Sequence, residues 1–417
     1  MHPPLPDPRA TIAELKELRA LTEDENGAQR VAFTPPWRTA RAWLRAKIES
    51  IPGIESHRDQ AGNLWATLHG ESERALVIGG HIDSVPNGGW LDGCLGTLAG
   101  LAILRHLAAA GSVGRPPVTV RLVDWADEEG ARFGKSLFGS SACSGNLDLS
   151  EAAALEDNAG ISLADALRAE GIDLSGVKAC RTELTNAAAY QELHIEQGPV
   201  LLDLDLPLGT VLGTFGVERH AIHFHGQAAH SGSTPMHRRK DAFLAAARMA
   251  PEAYAITDRE GGVCTIGSCK TRPGIVTSVV EDCEITLDQR HLDPAALSRM
   301  LAQARDASQR FATGAGATVS WKRLCHIAPV PFDPELIQLC DEAILETSGS
   351  THRLPSGPLH DAAEVAMAGI PTVMMFVQSL HGISHNKCED TREDHLEQAL
   401  RAFGLLAAKT MHWISSR

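Results

Sequence analysis

The sequence predicts an α/β fold in which a mixed, largely parallel sheet lies between helices and is interrupted by a smaller α+β insertion. Three observations carry this reading. Apolar strand-like runs alternate with amphipathic helical stretches over the first half of the chain, the order that builds parallel sheets with helices on their faces. The texture then changes to long strands grouped around two helices, which suits a compact α+β unit, and reverts near residue 328. At 417 residues the chain also exceeds the size at which a single core stops growing. We therefore expect a discontinuous first domain over residues 1–212 and 328–417 and an inserted domain over residues 213–327.

Each element has its own signal. Ile12, Leu15, Leu18 and Leu21 recur at helical spacing, and residues 37–51 repeat the pattern behind Pro35-Pro36, so two amphipathic helices open the fold. Short alternating segments at 54–57 and 64–68 precede the apolar run Ala75-Leu76-Val77-Ile78, a buried strand that feeds Gly79-Gly80-His81-Ile82-Asp83. Residues 95–110 read as a helix of small residues packed close on the sheet, and 117–124 as a strand ending in Asp127-Glu128-Glu129-Gly130. A helix at 162–170 and a strand at 187–196 lead to His194-Ile195-Glu196-Gln197. In the insertion we expect a long hairpin over 210–226, helices at 241–255 and 295–311, and strands at 263–269, 283–291 and 318–325. A helix at 334–347, a strand at 371–376 and a helix at 396–413 complete the first domain.

Composition excludes several functions. Hydrophobic residues at 43% and charged residues at 22% are ordinary for a globular protein, which leaves only the Pro-rich residues 1–8 as expected disorder. A net charge of −14 without any Lys/Arg cluster argues against nucleic acid or an anionic membrane as partner. Nine scattered cysteines, odd in number and without a CxxC pair, suggest neither a disulfide framework nor a Cys-type zinc ribbon. With no secretory pattern and no apolar run approaching the ~20 residues of a membrane helix, the expected location is the cytoplasm.

Chemistry concentrates at strand ends, where open α/β sheets hold their ligands. The groups are His81, Asp83, Asp92, Glu128, Glu129, His194, Glu196, His230, His360, Asp361 and His385. Alone, His81-x-Asp83 reads as well as a hydrogen-bonded structural pair, and an isolated Glu-Glu as two solvated acids. Together they suit metal: zinc accepts imidazole nitrogen and carboxylate oxygen, and two ions can share one carboxylate. His81, Asp92, Glu129, His194 and His385 would supply such a set. Adjacent residues leaving a strand point in different directions, so one of Glu128 and Glu129 can bind metal while its neighbour serves as general base. Arg290 is either an exposed strand terminus or a planar fork for a substrate carboxylate.

The stretches HIDSVPNGGWLDG, DEEGARFG, HIEQGP, HSGSTPM followed by Arg239 and Asp241, LDQR, HDAAEVA and GISH run in order from Val77 to His385. In them the chain resembles the hydantoinase/carbamoylase branch of the metal-dependent aminoacylase and carboxypeptidase-like amidohydrolases, which includes N-carbamoyl-L-amino-acid hydrolases, allantoate amidohydrolases and β-ureidopropionases. The resemblance implies a catalytic domain with two divalent metal ions per subunit, zinc foremost with manganese, cobalt or nickel also admitted, and an inserted lid domain that makes a homodimer. It implies that His81 and His194 hold one metal, Glu129 and His385 the other, and Asp92 bridges them. By the same resemblance Asp83 orients His81, Glu128 is the general base and acid, His230 meets the oxyanion, and Gln197 and Arg290 hold substrate.

The chain departs from the branch around the substrate. Thr277 stands where Asn is common, Leu359 before His360 where Gly is common, and Glu218 where Gln is frequent. Thr277, Leu359 and His360 are therefore grouped with the substrate-facing residues. The expected activity is hydrolysis of a linear amide or ureido C–N bond in a small molecule, an N-carbamoyl amino acid or related ureide. An N-acyl-amino-acid deacylase or dipeptidase of the same architecture is the nearer alternative. A binding protein without catalysis is the more distant one, since no ligand or base is missing.

Overall fold

Asp7 accepts the Arg9 N–H at 3.0 Å and Pro8 fills the first turn, so helix α1 (Pro8–Thr22) begins with a complete N-cap. Helix α2 (Pro35–Glu49) starts on its two prolines. This computed structural model describes residues 6–111 and 114–417; of residues 1–8, expected to be disordered, 1–5 lie outside the described residues. Two compact units emerge, one taking the chain to Gly213 and resuming over Phe332–Arg417, the other Thr214–Pro331.

The first unit is built on a mixed sheet. Its principal strands are β1 (Glu55–Arg58), β2 (Leu64–Leu68), β3 (Ala75–His81), β4 (Thr119–Trp125), β5 (Ala187–Ile195), β6 (Leu208–Thr214) and, after the insertion, β13 (Thr372–Val377). Across the sheet they run β6-β13-β5-β3-β4-β2-β1. The central four, β13, β5, β3 and β4, are parallel, while β6, β2 and β1 join antiparallel. Every residue of β3 and β13 is buried, as expected for parallel strands covered on both faces. Helix α3 (Cys94–Ala110) packs on this sheet, and α6 (Pro334–Ser348), α7 (Asp361–Met367) and α8 (Glu393–Ser415) follow the insertion. The expected α/β class is thus borne out, and no described helix is long and apolar enough to cross a membrane.

In the second unit the strands β7 (Gly216–His225), β9 (Val263–Arg272), β11 (Asp282–His291) and β12 (Thr318–Ile327) pair antiparallel in the order β9-β11-β7-β12. Helices α4 (Ala242–Glu260) and α5 (Pro294–Gly314) cover one face around Ile222, Phe224, Met249, Ile285, Leu287 and Met300. Two short strands, β8 (Ala229–His230) and β10 (Ser278–Val279), pair separately.

The hairpin expected over residues 210–226 does not form. β6 pairs with β13 in the first sheet and β7 with β11 and β12 in the other, with only Phe215 between them. One intervening residue is too short for a hairpin turn. β6 is buried almost throughout, and its partner β13 satisfies the ladder that the hairpin would have supplied.

One buried ion pair ties α2 to the sheet. Arg41 donates through Nε to Asp124 Oδ2 at 2.8 Å and through Nη2 to the Asp124 carbonyl at 2.8 Å, while Asp124 Oδ1 accepts the Ile82 N–H at 2.9 Å. The Arg41 and Asp124 side chains are 10% and 1% exposed. Even so, burial holds the Asp124 carboxyl up at about 6, against the pull of Arg41. Arg41→Met leaves that carboxyl without its counter-charge, and we expect a loss of about 3–5 kcal/mol, read by chemical denaturation.

Candidate metal centre

The parallel strands deliver the acids and histidines at their C-terminal ends. His81 is the last residue of β3, Glu128 and Glu129 follow β4, His194 is the penultimate residue of β5, and His385 lies beyond β13. Asp92 sits between Leu91 and Gly93, immediately before α3. Gly93 has φ +66°, and a Cβ there would collide with the His81 ring, so the glycine after Asp92 lets the imidazole lie against the turn.

Hydrogen bonds set the direction of each imidazole. His81 Nδ1 lies 3.2 Å from the Asp83 carbonyl and His194 Nδ1 2.8 Å from the Ile195 carbonyl, so each Nδ1–H donates to backbone. Both Nε2 atoms then face Asp92 Oδ1, at 3.6 and 3.1 Å. Asp92 Oδ2 faces the other way, 3.5 Å from His385 Nε2, which is itself 3.3 Å from Glu129 Oε2. One carboxylate is thus divided between a His81–His194 group and a His385–Glu129 group, each of ligand atoms within 4.8 Å of one another. With Nδ1 protonated, a neutral Nε2 turns a lone pair toward a carboxylate oxygen, an arrangement that only a proton or a cation between them relieves. The donor set therefore fits divalent metal.

The electrostatics show the same need for positive charge. Burial alone would lower the His81 imidazole, but Glu128, Asp83 and Asp92 hold it well above its usual value; His194 is raised against burial mainly by Asp92. Burial would lift Asp92, yet His194, His81 and His385 hold it far below the ordinary carboxylate range. Glu128 and Glu129 are pushed well up, chiefly by burial, with His81 opposing in both cases. Cation binding to this pocket must therefore expel protons.

Asp83 acts by more than its proximity to His81. Its Oδ1 lies 3.6 Å from His81 Nδ1, while its two oxygens accept the N–H groups of Glu128 and Glu129 at 3.3 and 3.2 Å. One side chain thereby ties the end of β4 to the loop after β3. Glu128 Oε2 is 3.6 Å from His81 Nε2, and Glu129 Oε1 accepts the Val85 N–H at 3.3 Å. The turn that separates the two glutamates from β4 has Asp127 at φ +55°, a conformation that costs of order 1–3 kcal/mol outside glycine.

Other expected residues have different surroundings. Gln197 Nε2 donates to Asp92 Oδ2 at 2.8 Å, and its buried Oε1 has no partner among the described residues. His360 is 2% exposed, donates from Nε2 to Ser356 Oγ at 3.0 Å and stacks edge-on against His194 at 4.5 Å. Leu359 beside it is half-buried. Glu196 stands apart from the constellation, because its carboxylate caps the next turn through the Val200 and Leu201 N–H groups. Within the second unit, His230 Nδ1 accepts the N–H groups of Gly232 and Ser233 at 3.2 and 3.1 Å, which puts its ring proton on Nε2. The exposed Thr277 accepts the Ser231 N–H through its carbonyl at 2.9 Å, and Arg290 Nε donates to Asp288 at 2.9 Å. Glu218, 5% exposed, is held by His220 at 2.8 Å and His326 at 2.9 Å.

Three residues around the centre escaped the sequence reading. Arg30, fully buried, donates to the Ile82 carbonyl at 2.8 Å. Ser384 donates to Asp92 Oδ2 at 2.9 Å, and Glu389 accepts the N–H groups of Leu91 and Asp92 at 3.1 and 3.0 Å. A Cβ at position 89 would overlap the Glu389 carboxyl, so Gly89 makes room for it. Burial, with Asp92 adding to it, raises the Glu389 carboxyl to about 7 against the opposing N–H bonds of Asp92 and Leu91 and the Ser384 hydroxyl. The metal-free native state therefore holds an extra proton between about pH 4.5 and 7. Stability from this group is complete below that window and lost as pH rises through it, by up to about 3 kcal/mol. Denaturation of chelator-treated protein at pH 5 and pH 8 is expected to show the loss, and Glu389→Gln to flatten it.

The profile of peptidase family M20/M25/M40 matches residues 77–409, from β3 into α8. The chain belongs to this family. Among relatives, the N-carbamoyl-L-amino acid amidohydrolase of Geobacillus stearothermophilus is 34% identical, over 89% of this chain and 91% of its own length. The allantoate amidohydrolase of Escherichia coli K12 is 30% identical over 91% and 92%. Among solved structures, a hydantoinase/carbamoylase family amidase from Burkholderia multivorans superposes with a TM-score of 0.85 at 30% identity, covering 97% of this chain and 98% of the other. The resemblance read from the motifs is borne out.

Proposed function

We propose that this M20 chain is a metal-dependent amidohydrolase that cleaves the ureido C–N bond of an N-carbamoyl amino acid or a related ureide. The observation that carries the reading is the division of Asp92 between two groups of metal donors. In this reading His81 and His194 hold one divalent ion, Glu129 and His385 a second, and Asp92 both, with zinc first and manganese, cobalt or nickel compatible with the same donors. Such ions, when bound, polarise a carbonyl and make water nucleophilic at neutral pH.

The chain's own groups do the rest. Glu128, 6% exposed and anchored by Asp83, accepts the proton of the attacking water and passes it to the leaving nitrogen. His230 has an Nε2–H free to stabilise the oxyanion. Gln197, Arg290, Thr277, Leu359 and His360 are assigned to the substrate. The unit Thr214–Pro331 is assigned as the lid through which two copies form a homodimer, and sedimentation is expected to give about twice 44.6 kDa. Cysteines that are all free agree with a cytoplasmic site of action.

The names of the relatives motivate the test. Metal-stripped protein, reloaded with each of the four metals, is given N-carbamoyl amino acids, allantoate, N-acyl amino acids and dipeptides. Release of ammonia from the ureides supports the reading. Turnover confined to acyl or peptide substrates overturns it.

A further inference from the structure

We propose that Cys269 and Cys283 form a peroxide-responsive pair that closes as an intrachain disulfide. Strand β9 carries the first and β11 the second, and their Sγ atoms are 3.7 Å apart. The contact depends on a register shift. Cys264 pairs with Gln289 and Ile266 with Leu287, but one extra residue between Ile266 and Ser268 brings Cys269 opposite Ile285 and Thr271 opposite Cys283. In the unshifted register Cys269 would lie opposite Glu284, on the face away from Cys283. Ile285 and Cys283 are both buried on the helix-covered face, so Cys269 joins that face at the sheet edge.

Access and freedom to move are both present. Cys269 is exposed whereas Cys283 is 1% exposed. Among the described residues β9 bonds within this sheet only to β11, so it can shift toward its neighbour without breaking a second ladder. The other neighbouring cysteines, Cys143 and Cys180, are both buried and lack this access. Burial, aided by Cys269, pushes the Cys283 thiol up to about 12, so the exposed Cys269 is the sulfur that meets the oxidant first.

In the first step the Cys269 sulfur attacks a hydrogen peroxide oxygen. An S–O bond forms, the O–O bond breaks, and water leaves, giving a sulfenic acid. The Cys283 sulfur then attacks the Cys269 sulfur. The S–S bond forms, the S–O bond breaks, and the hydroxyl departs as water with the Cys283 proton. Two thiols lose two electrons in all, and one peroxide becomes two waters. The new bond closes the base of the hairpin 270–282, which carries Thr277 and whose Ser278 pairs with His230. Formation of the bond is independent of the amidohydrolase reading.

The test treats metal-loaded full-length protein with near-stoichiometric hydrogen peroxide, blocks free thiols and digests with trypsin without reduction. Cleavage after Lys270 separates the two cysteines, so the bond links peptides 260–270 and 271–290. We expect this linked pair in the wild type and in Cys264→Ser, its absence in Cys269→Ser, and a Tm increase on oxidation that dithiothreitol reverses. Recovery of Cys269 as sulfinic or sulfonic acid with Cys283 still alkylatable after unfolding overturns the proposal. So does a link that survives in Cys269→Ser and disappears in Cys264→Ser.

Discussion

Replacing Glu128 with Gln is expected to lower kcat by about 10²–10⁴-fold while leaving metal content unchanged. The amide keeps the size of the side chain and its backbone anchor, because Asp83 bonds the Glu128 N–H rather than the carboxyl. Glu128 also lies outside both groups of ligand atoms that share Asp92. What Gln cannot do is accept a proton. The measurement is single-turnover hydrolysis of an N-carbamoyl amino acid beside metal analysis of the same sample. A metal-loaded variant with wild-type turnover would remove Glu128 from the role of base.

Asp92→Asn is expected to act on metal retention first. Its affinity for the second ion should fall by more than the 10–100-fold usual when a group that only supports a ligand is lost. Asp92 is 3% exposed and surrounded by His81, His194 and His385, and an amide would present one oxygen where two are now used. The same change removes the charge that holds His194 raised. Competition with a chromophoric chelator reads both affinities, and two ions bound with wild-type affinity would rule out a bridging carboxylate.

Much of the fold is legible because the strands announce themselves. β3 is an apolar run that stops at Gly and His, β5 ends at His194-Ile195, and helices falling between strands favour their parallel pairing. Of the candidate ligands, His81, Glu129 and His194 were legible for the same reason, standing at or just past a strand end, whereas Asp92 and His385 lie in loops and were marked by the motifs around them. The false hairpin shows the limit: strand pattern is local, whereas pairing partners are chosen by burial, and β6 finds β13 more than 150 residues further along the chain. Glu389 and Arg30 were illegible for a related reason. They act on peptide N–H and carbonyl groups of a distant loop, so no spacing in the sequence marks them. Thr277, Leu359 and Glu218 were visible only as differences from a pattern, which says that a contact has changed without saying what replaced it.

The place of β13 in the middle of the sheet has a consequence for biosynthesis. It is translated after the whole of Thr214–Pro331, yet it belongs between β5 and β6. Until it emerges from the ribosome, both neighbours present unpaired edges to the cytosol, the kind of surface that chaperones shield. The candidate ligand His385 arrives later still. Cation capture should therefore be a late event, and a nascent chain stalled before residue 372 should be a chaperone client rather than a metalloprotein.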